Sequence, residues 1–240
     1  MSGWRTTPRA RARITGVVYL FFFVTAVVGE GFLRQAGVSG LGAISGDAAS
    51  TAHRILANEL VYRLGTALGL ISIASYAVLM GLFFLLFRPV RASLALVAAV
   101  LGVIGCAVSA AGSVFQAAPL VILGGDSYLN AFDARQLQAL ALLALKLNGQ
   151  AAQIALVFFG LFQITIGYVI ARATFLPRIL GVLVAVAGVG WLTVLVPPLV
   201  NLLGTPLQVF GFVAEMLLML WLLVFGVNSQ RWNEQAGFAS

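Results

Sequence analysis

The sequence predicts an all-α, polytopic membrane helix bundle with six transmembrane helices. Three observations carry this. Residues of the AVILMFWYC set make up 61% of the chain and charged residues 9%, against roughly 45–50% and about 25% in soluble domains. Mean hydropathy is +1.05, so the apolar surface of a 240-residue chain must meet lipid rather than water. Six runs of about 20 apolar residues each match a hydrocarbon core of ~30 Å at 1.5 Å per helical residue. Finally, arginines gather at the ends of these runs, as topology signals do.

The basic tail, residues 1–13, carries Arg5, Arg9, Arg11 and Arg13. The first span, Ile14–Leu33, is too long for the apolar region of a signal peptide and no A-x-A cleavage pattern follows it, so it is read as a retained helix. A turn-rich segment, residues 37–46, comes next. Asp47 then has the chemistry of an N-cap, with a helix running unbroken from Ala48 into the second span, Gly65–Phe87. Arg88-Pro89-Val90-Arg91 makes a short basic turn before the third span, Leu94–Phe115. Asp133 caps a helix that continues through Gln136 and Leu147 into the fourth span, Ala151–Ala171, with Gly149 as its weak point. Arg172 to Arg178, with Pro177, precedes the fifth span, Ile179–Val200. The sixth is Leu207–Val227, and residues 228–240 form a second tail. Thus residues 14–227 form the transmembrane domain. Its second and fourth helices, about 38–40 residues or ~57–60 Å long, rise above the bilayer as a small extracytoplasmic cap.

Orientation follows from the arginines. With the N-terminus cytoplasmic, Arg5, Arg9, Arg11, Arg13, Arg88, Arg91, Arg172, Arg178 and Arg231 face inward, and Arg34, Arg54, Arg63, Arg135 and Lys146 face outward. The bias places both termini in the cytoplasm. The net charge of +7 is therefore a topology signal and no nucleic acid is expected, because the basic residues are dispersed between apolar runs rather than assembled into a phosphate-binding face. Small residues at four-residue spacing (Gly65/Gly69, Gly105/Ser109/Ser113, Gly181/Ala185) suit close helix approach. Packing within the chain is the favoured reading of them, and homo-oligomerisation is not indicated.

The chemistry-bearing residues are few. One Cys, Cys106, and one His, His53, supply neither a disulfide framework nor a Cys- or His-rich metal site. The spacings of nucleotide loops, zinc proteases and intramembrane Ser–His or paired-Asp proteases do not occur. The only Lys, Lys146, lies too near the outer edge for a mid-membrane Schiff base. No catalytic residue, cofactor or metal is expected. What lipid makes expensive is the buried polar set. Glu215 and Gln163 fall near mid-depth with Tyr76, whereas Glu30, Arg63, Asn148, Gln116 and Gln153 fall near the outer interface. Glu59/Arg63 and Glu30/Arg34 are spaced i,i+4 with the acid first, the favourable order. The ligand-site expectation is that Glu30, Arg63 and Glu215 line one polar cavity, Glu30 meeting Arg63, with Gln153, Gln163, Tyr76 and Asn148 around it.

Six strings occur in order: Ala12-Arg-Ile-Thr-Gly-Val-Val-Tyr-Leu20, Ile55-Leu-Ala-Asn-Glu-Leu-Val-Tyr-Arg-Leu-Gly65, Arg88-Pro-Val-Arg-Ala-Ser-Leu94, Leu137-Gln-Ala-Leu-Ala-Leu142, Leu156-Val-Phe-Phe-Gly-Leu161 and Phe175-Leu-Pro-Arg-Ile-Leu-Gly-Val182. Over residues 10–228 the chain resembles the bacterial membrane family of domain of unknown function 4386. The resemblance implies a multi-pass protein of the bacterial plasma membrane and brings no established activity. Members often carry a His and an Asp at the places of Asn148 and Gln153, so proton or metal chemistry there does not transfer to this chain. The functional expectation is a membrane protein surrounded by lipids that binds a small molecule or lipid in a pocket open outward, extending to a carrier. The alternative is an accessory protein packing against partner helices. An intramembrane enzyme ranks below both.

Overall fold

The computed structural model describes residues 7–40 and 46–237. Arg5, residues 41–45 of the turn-rich segment and the last three residues of the second tail lie outside them. The described residues are predominantly helical and form no strand. Helix α1 is Pro8–Gln35, α2 Ala48–Ala57, α3 Glu59–Ile122, α4 Ala134–Arg172, α5 Arg178–Trp191, α6 Pro197–Val224 and α7 Ser229–Gln235, with short 3-10 turns at Ser127–Ala131 and Leu192–Leu195. Among the described residues five helical stretches are long and apolar enough to cross a membrane: Pro8–Gln35, Glu59–Ile122, Ala134–Arg172, Arg178–Leu195 and Pro206–Val224.

Local chemistry sets most of the boundaries. Thr7 caps α1 by accepting the Ala10 N–H at 3.2 Å, and Pro8 begins the helix where its missing N–H costs nothing. At the other end Gly37 adopts φ +73°. Its N–H bonds Arg34 O at 3.0 Å and the Val38 N–H bonds Leu33 O at 3.1 Å, the paired bonds of a Schellman cap. Asp47 caps α2 through the Ser50 N–H at 2.8 Å. That bond holds the Asp47 carboxyl below its usual range, so the cap is present at neutral pH and is lost as pH falls through the lowered value. Asp133 and Gln136 exchange backbone bonds at 2.8 and 2.9 Å, a reciprocal box at the start of α4.

Helix α3 is two helices joined at Arg91, whose backbone leaves the helical region (φ −155°, ψ 97°). Pro89 supplies no N–H to the ladder just before the bend. The arms, residues 59–90 and 92–122, fold back on one another: Tyr62 reaches Gln116, and a Cβ on Gly102 would strike the Met80 side chain.

Three expectations are corrected. The helix from Ala48 does not run unbroken into the second span, because Asn58 leaves helical geometry (φ −124°, ψ 36°) and its side chain turns back to Arg54 O at 3.0 Å. Gly149 does not break α4, which spans 39 residues. The fifth helix ends at Trp191 with its 3-10 turn closing at Leu195, not at Val200. Val196 is extended (φ −125°, ψ 90°) ahead of two prolines in the first turn of α6, since a residue before proline is pushed out of the helical region.

The chain divides into two compact units that share helices: residues 7–21, 75–105 and 156–237 form unit 1, and residues 22–40, 46–74 and 106–155 form unit 2. In unit 1 α4 and α5 approach through glycines. A Cβ on Gly181 would sit 2.4 Å from Ala171 N and 2.5 Å from Gly167 O, so only a side chain of hydrogen lets the backbones meet. Unit 2 has a core of Leu33, Ala36, Val38, Ile55, Tyr62 and Leu145, with Leu120 packed against it.

Replacing Gly181 with Leu should force α4 and α5 apart and destabilise the protein by at least ~1–3 kcal/mol, the usual overpacking range. The measurement is the thermal midpoint in detergent, with half-buried Gly69→Ala, where a Cβ meets nothing within 4 Å, expected to be near neutral.

Candidate functional site

Unit 1 contains a buried carboxyl group. Helix α6 carries Glu215 inward, and two side chains from other helices answer it. The Tyr19 hydroxyl of α1 donates to Glu215 Oε2 at 2.7 Å, and the Gln163 amide of α4 donates to Glu215 Oε1. The second amide atom, Gln163 Oε1, is buried without a hydrogen-bond partner. No salt bridge reaches Glu215 among the described residues.

Aromatic rings enclose this cluster. Helical spacing of three or four puts Tyr76, Met80, Phe83 and Phe87 on one face of the first α3 arm, and Phe159, Phe162 and Gln163 on one face of α4. The Tyr19 ring centroid lies 6.5 Å from that of Tyr76 and 5.7 Å from that of Phe83, edge to face. Tyr76 meets Phe159 at 5.4 Å and Phe162 at 6.3 Å, and Phe83 stacks on Phe162 at 6.1 Å. The group is apolar except for Glu215, Gln163 and two phenols.

Unit 2 holds a separate polar chain. Asn148 Nδ2 donates to Gln116 Oε1 at 2.8 Å and to Gly40 O at 3.1 Å. Gln116 Nε2 donates to the Tyr62 hydroxyl at 3.2 Å, which donates in turn to Gln116 O. Gly40 N–H donates to Glu30 Oε2 at 3.0 Å. Glu30 Oε1 accepts from the Ser39 hydroxyl at 2.7 Å and from Arg34 at 2.8 Å. The network ties the segment after α1 to α3 and α4.

The seven residues expected around one cavity therefore fall into different settings. Glu215, Gln163 and Tyr76 belong to unit 1; Glu30, Arg63, Asn148 and Gln153 belong to unit 2. Glu30 does not meet Arg63. Each acid takes the arginine one turn further along its own helix: Arg34 for Glu30, and Arg63 to Glu59 at 2.7 Å. The local pair forms without closing a long loop and keeps the guanidinium in a wet position, with 57% of the Arg63 side chain exposed. Gln153 is exposed on α4. A groove of about 470 Å³ in unit 2 is lined by Leu70, Ala110, Ser113, Val114, Ala117, Ala118, Val121 and Ile122; it is apolar and includes none of the seven.

Tyr19 and Tyr62 were not singled out by sequence reasoning, because a tyrosine in an apolar run reads as packing or as an interface anchor. The available signal was that a buried phenol needs a partner for its hydroxyl. Among the described residues no group of three or more His, Cys, Asp or Glu side chains is arranged to hold a metal ion.

Long apolar helices whose buried polar side chains are mostly answered by other helices define a polytopic helical membrane protein. Residues 14–226 match the family described as Domain of unknown function (DUF4386), and the chain belongs to that family. No curated protein and no solved structure matches the chain.

The unit 2 network should matter more than the surface ion pairs. Tyr62→Phe strips Gln116 Nε2 of its acceptor and should cost about 1–3 kcal/mol. Asn148→Leu should cost at least as much by leaving both Gln116 Oε1 and Gly40 O short of a donor. Arg63→Gln removes only an exposed i,i+4 pair and should change stability by about 0.5 kcal/mol or less. Thermal unfolding in detergent ranks the three.

Proposed function

We propose that this protein is a six-span protein of the bacterial plasma membrane that binds a small molecule bearing a protonated amine at Glu215. Counting the two arms of α3 separately gives six crossings. The start of α1, the bend at Arg91, the 172–178 connection and α7 form the arginine-rich end, which the positive-inside rule assigns to the cytoplasm. In this topology α2 and the first turns of α4 stand outside as a small cap.

The observation that carries the binding reading is a donor shortage. An ionised carboxylate offers about four lone-pair sites; Glu215 receives one bond each from Tyr19 and Gln163. Gln163 Oε1 receives none. Both residual needs are for donors, and the only formal charge in the cluster is negative. An ammonium group brings three donors and a positive charge, and the adjoining Tyr19 and Tyr76 rings suit cations. Glu215 is buried, with 9% of the residue's surface exposed. The same reading extends to a carrier in which amine and proton compete for one carboxyl. Of the small residues that an accessory protein would offer to partners, three are occupied within the chain: Gly65 packs on Gly29, Gly105 on Phe159 and Gly181 on Gly167.

Two experiments test this. Reporter fusions at the N-terminus, near Val90, near Leu176 and at the C-terminus should all report cytoplasm; an external signal at either Arg-Pro turn would end the six-span topology. For the site, 2-phenylethylammonium should raise the thermal midpoint of the wild type in a concentration-dependent way, by the equivalent of ~2.7 kcal/mol at a hundred times Kd. 2-Phenylethanol should not, and Glu215→Gln should abolish the amine response while leaving the fold intact. Equal responses in both proteins, or none in the wild type, would refute amine binding at Glu215.

A further inference from the structure

The arginine-rich end of unit 1 is organised by the short C-terminal helix. Trp232 of α7 is buried, and its indole N–H donates to Leu86 O at 2.9 Å. The Arg11 guanidinium lies over its ring, 5.8 Å from the centroid. Arg231 donates to Thr174 O at 3.3 Å, and Gln235 accepts from Thr174 N–H at 3.1 Å and donates to Arg172 O at 3.4 Å. Asn228 N–H donates to Phe175 O at 3.3 Å, and the Phe87 and Phe175 rings stack 6.0 Å apart. One helix of seven residues thus holds the N-terminal segment, the α3 bend and the 172–178 connection at a common end.

The charge at this end is one-sided. The described residues of unit 1 carry eight arginines against two carboxylates, Glu215 and Glu234. Glu215 is buried in its own cluster, and Glu234 accepts from Gln230. Unit 2 by contrast carries five basic and five acidic residues. Arg88, Arg91 and Arg178 are exposed, and no carboxylate pairs with them among the described residues. Along the same helices stand exposed apolar side chains: Leu85, one turn before Arg88, at 41% and Ile179, next to Arg178, at 59% exposure. A guanidinium at the rim of an apolar surface sits at headgroup depth when that surface meets acyl chains.

We propose that this end is a binding surface for anionic phospholipids, with Arg88, Arg91 and Arg178 meeting headgroup phosphates and the neighbouring Leu85 and Ile179 receiving acyl chains. The planar guanidinium matches phosphate oxygens in pairs, and each basic residue at such a surface contributes about fivefold in affinity, equivalent to ~1 kcal/mol. A soluble phosphate would satisfy the arginines alone; a phospholipid satisfies both rows of side chains.

The test is native mass spectrometry of the full chain released from detergent micelles, where no leaflet exists and an altered insertion topology cannot imitate weaker binding. Offered equimolar phosphatidylglycerol and phosphatidylcholine, the wild type should retain phosphatidylglycerol in excess. Arg88→Gln/Arg91→Gln/Arg178→Gln should cut that retention at least tenfold in a protein that still unfolds cooperatively. Should the triple variant fail to fold, Arg178→Gln alone should still lower retention about fivefold. The charge-matched control Arg63→Gln/Arg135→Gln/Lys146→Gln in unit 2 should retain phosphatidylglycerol as the wild type does. No preference in the wild type, an equal loss in the control, or an unchanged triple variant would overturn the proposal. Displacement of the lipid by millimolar inorganic phosphate would also overturn it, by making free phosphate the ligand.

Discussion

Hydrocarbon offers no hydrogen bonds, so a carboxyl group on a membrane helix must be answered by another helix or by a ligand. Glu215 is where unit 1 meets that demand. Its carboxyl sits on α6, and its donors come from α1 and α4. A buried carboxyl left unanswered costs several kcal/mol even after relaxation, so the rotation of each helix about its own axis is tied to the other two. The aromatic cluster follows from this. Rings of Tyr19, Tyr76, Phe83 and Phe162 fill the volume around one polar point and keep its dielectric low, which strengthens the bonds that are made.

Unit 2 meets the same constraint with neutral groups. Two amides and a phenol pass hydrogen bonds from Tyr62 through Gln116 to Asn148, and the chain ends on the backbone of Gly40. Because Gly40 N–H also donates to Glu30, the segment after α1 is anchored from both sides. The Glu30 charge stays at the edge, where Arg34 and water screen it. The two units therefore differ in kind. One encloses a carboxyl group beside an unanswered amide oxygen, and the other distributes polarity over a network whose members largely satisfy one another.

The helical fold was legible because composition and run length speak directly to the solvent. Asp133 with Gln136, and Asp47 with Ser50, were legible as helix starts because a cap is a local interaction over three residues. Side-chain pairing was legible only where it was equally local, as in Glu59–Arg63 and Glu30–Arg34. Placing Arg63 against Glu30 required knowing which faces of two helices meet, and depth estimates supply height but not azimuth. The same blindness hid Tyr19, which is separated from Glu215 by 196 positions. The end of the fifth helix was misplaced because apolar content continues through Val196-Pro197-Pro198, and hydropathy outweighed the steric veto of the prolines.

The arginines at the end of unit 1 divide by the polarity of the helix ends they occupy. Arg13 donates to Val224 O at the close of α6, Arg172 ends α4, and Arg88 lies in the last turn before the α3 bend. At these C-termini a cation meets the negative end of the helix dipole and contributes about 0.3–1 kcal/mol. Arg178 and Arg91 are placed oppositely: Arg178 is the first residue of α5, and Arg91 precedes the second arm of α3. There the unpaired backbone N–H groups already present positive charge, so a guanidinium adds repulsion unless an anion lies between them. Helix-end stabilisation therefore accounts for Arg13, Arg88 and Arg172 within the chain, and it leaves Arg91 and Arg178 as the positions where an external phosphate would relieve an electrostatic conflict.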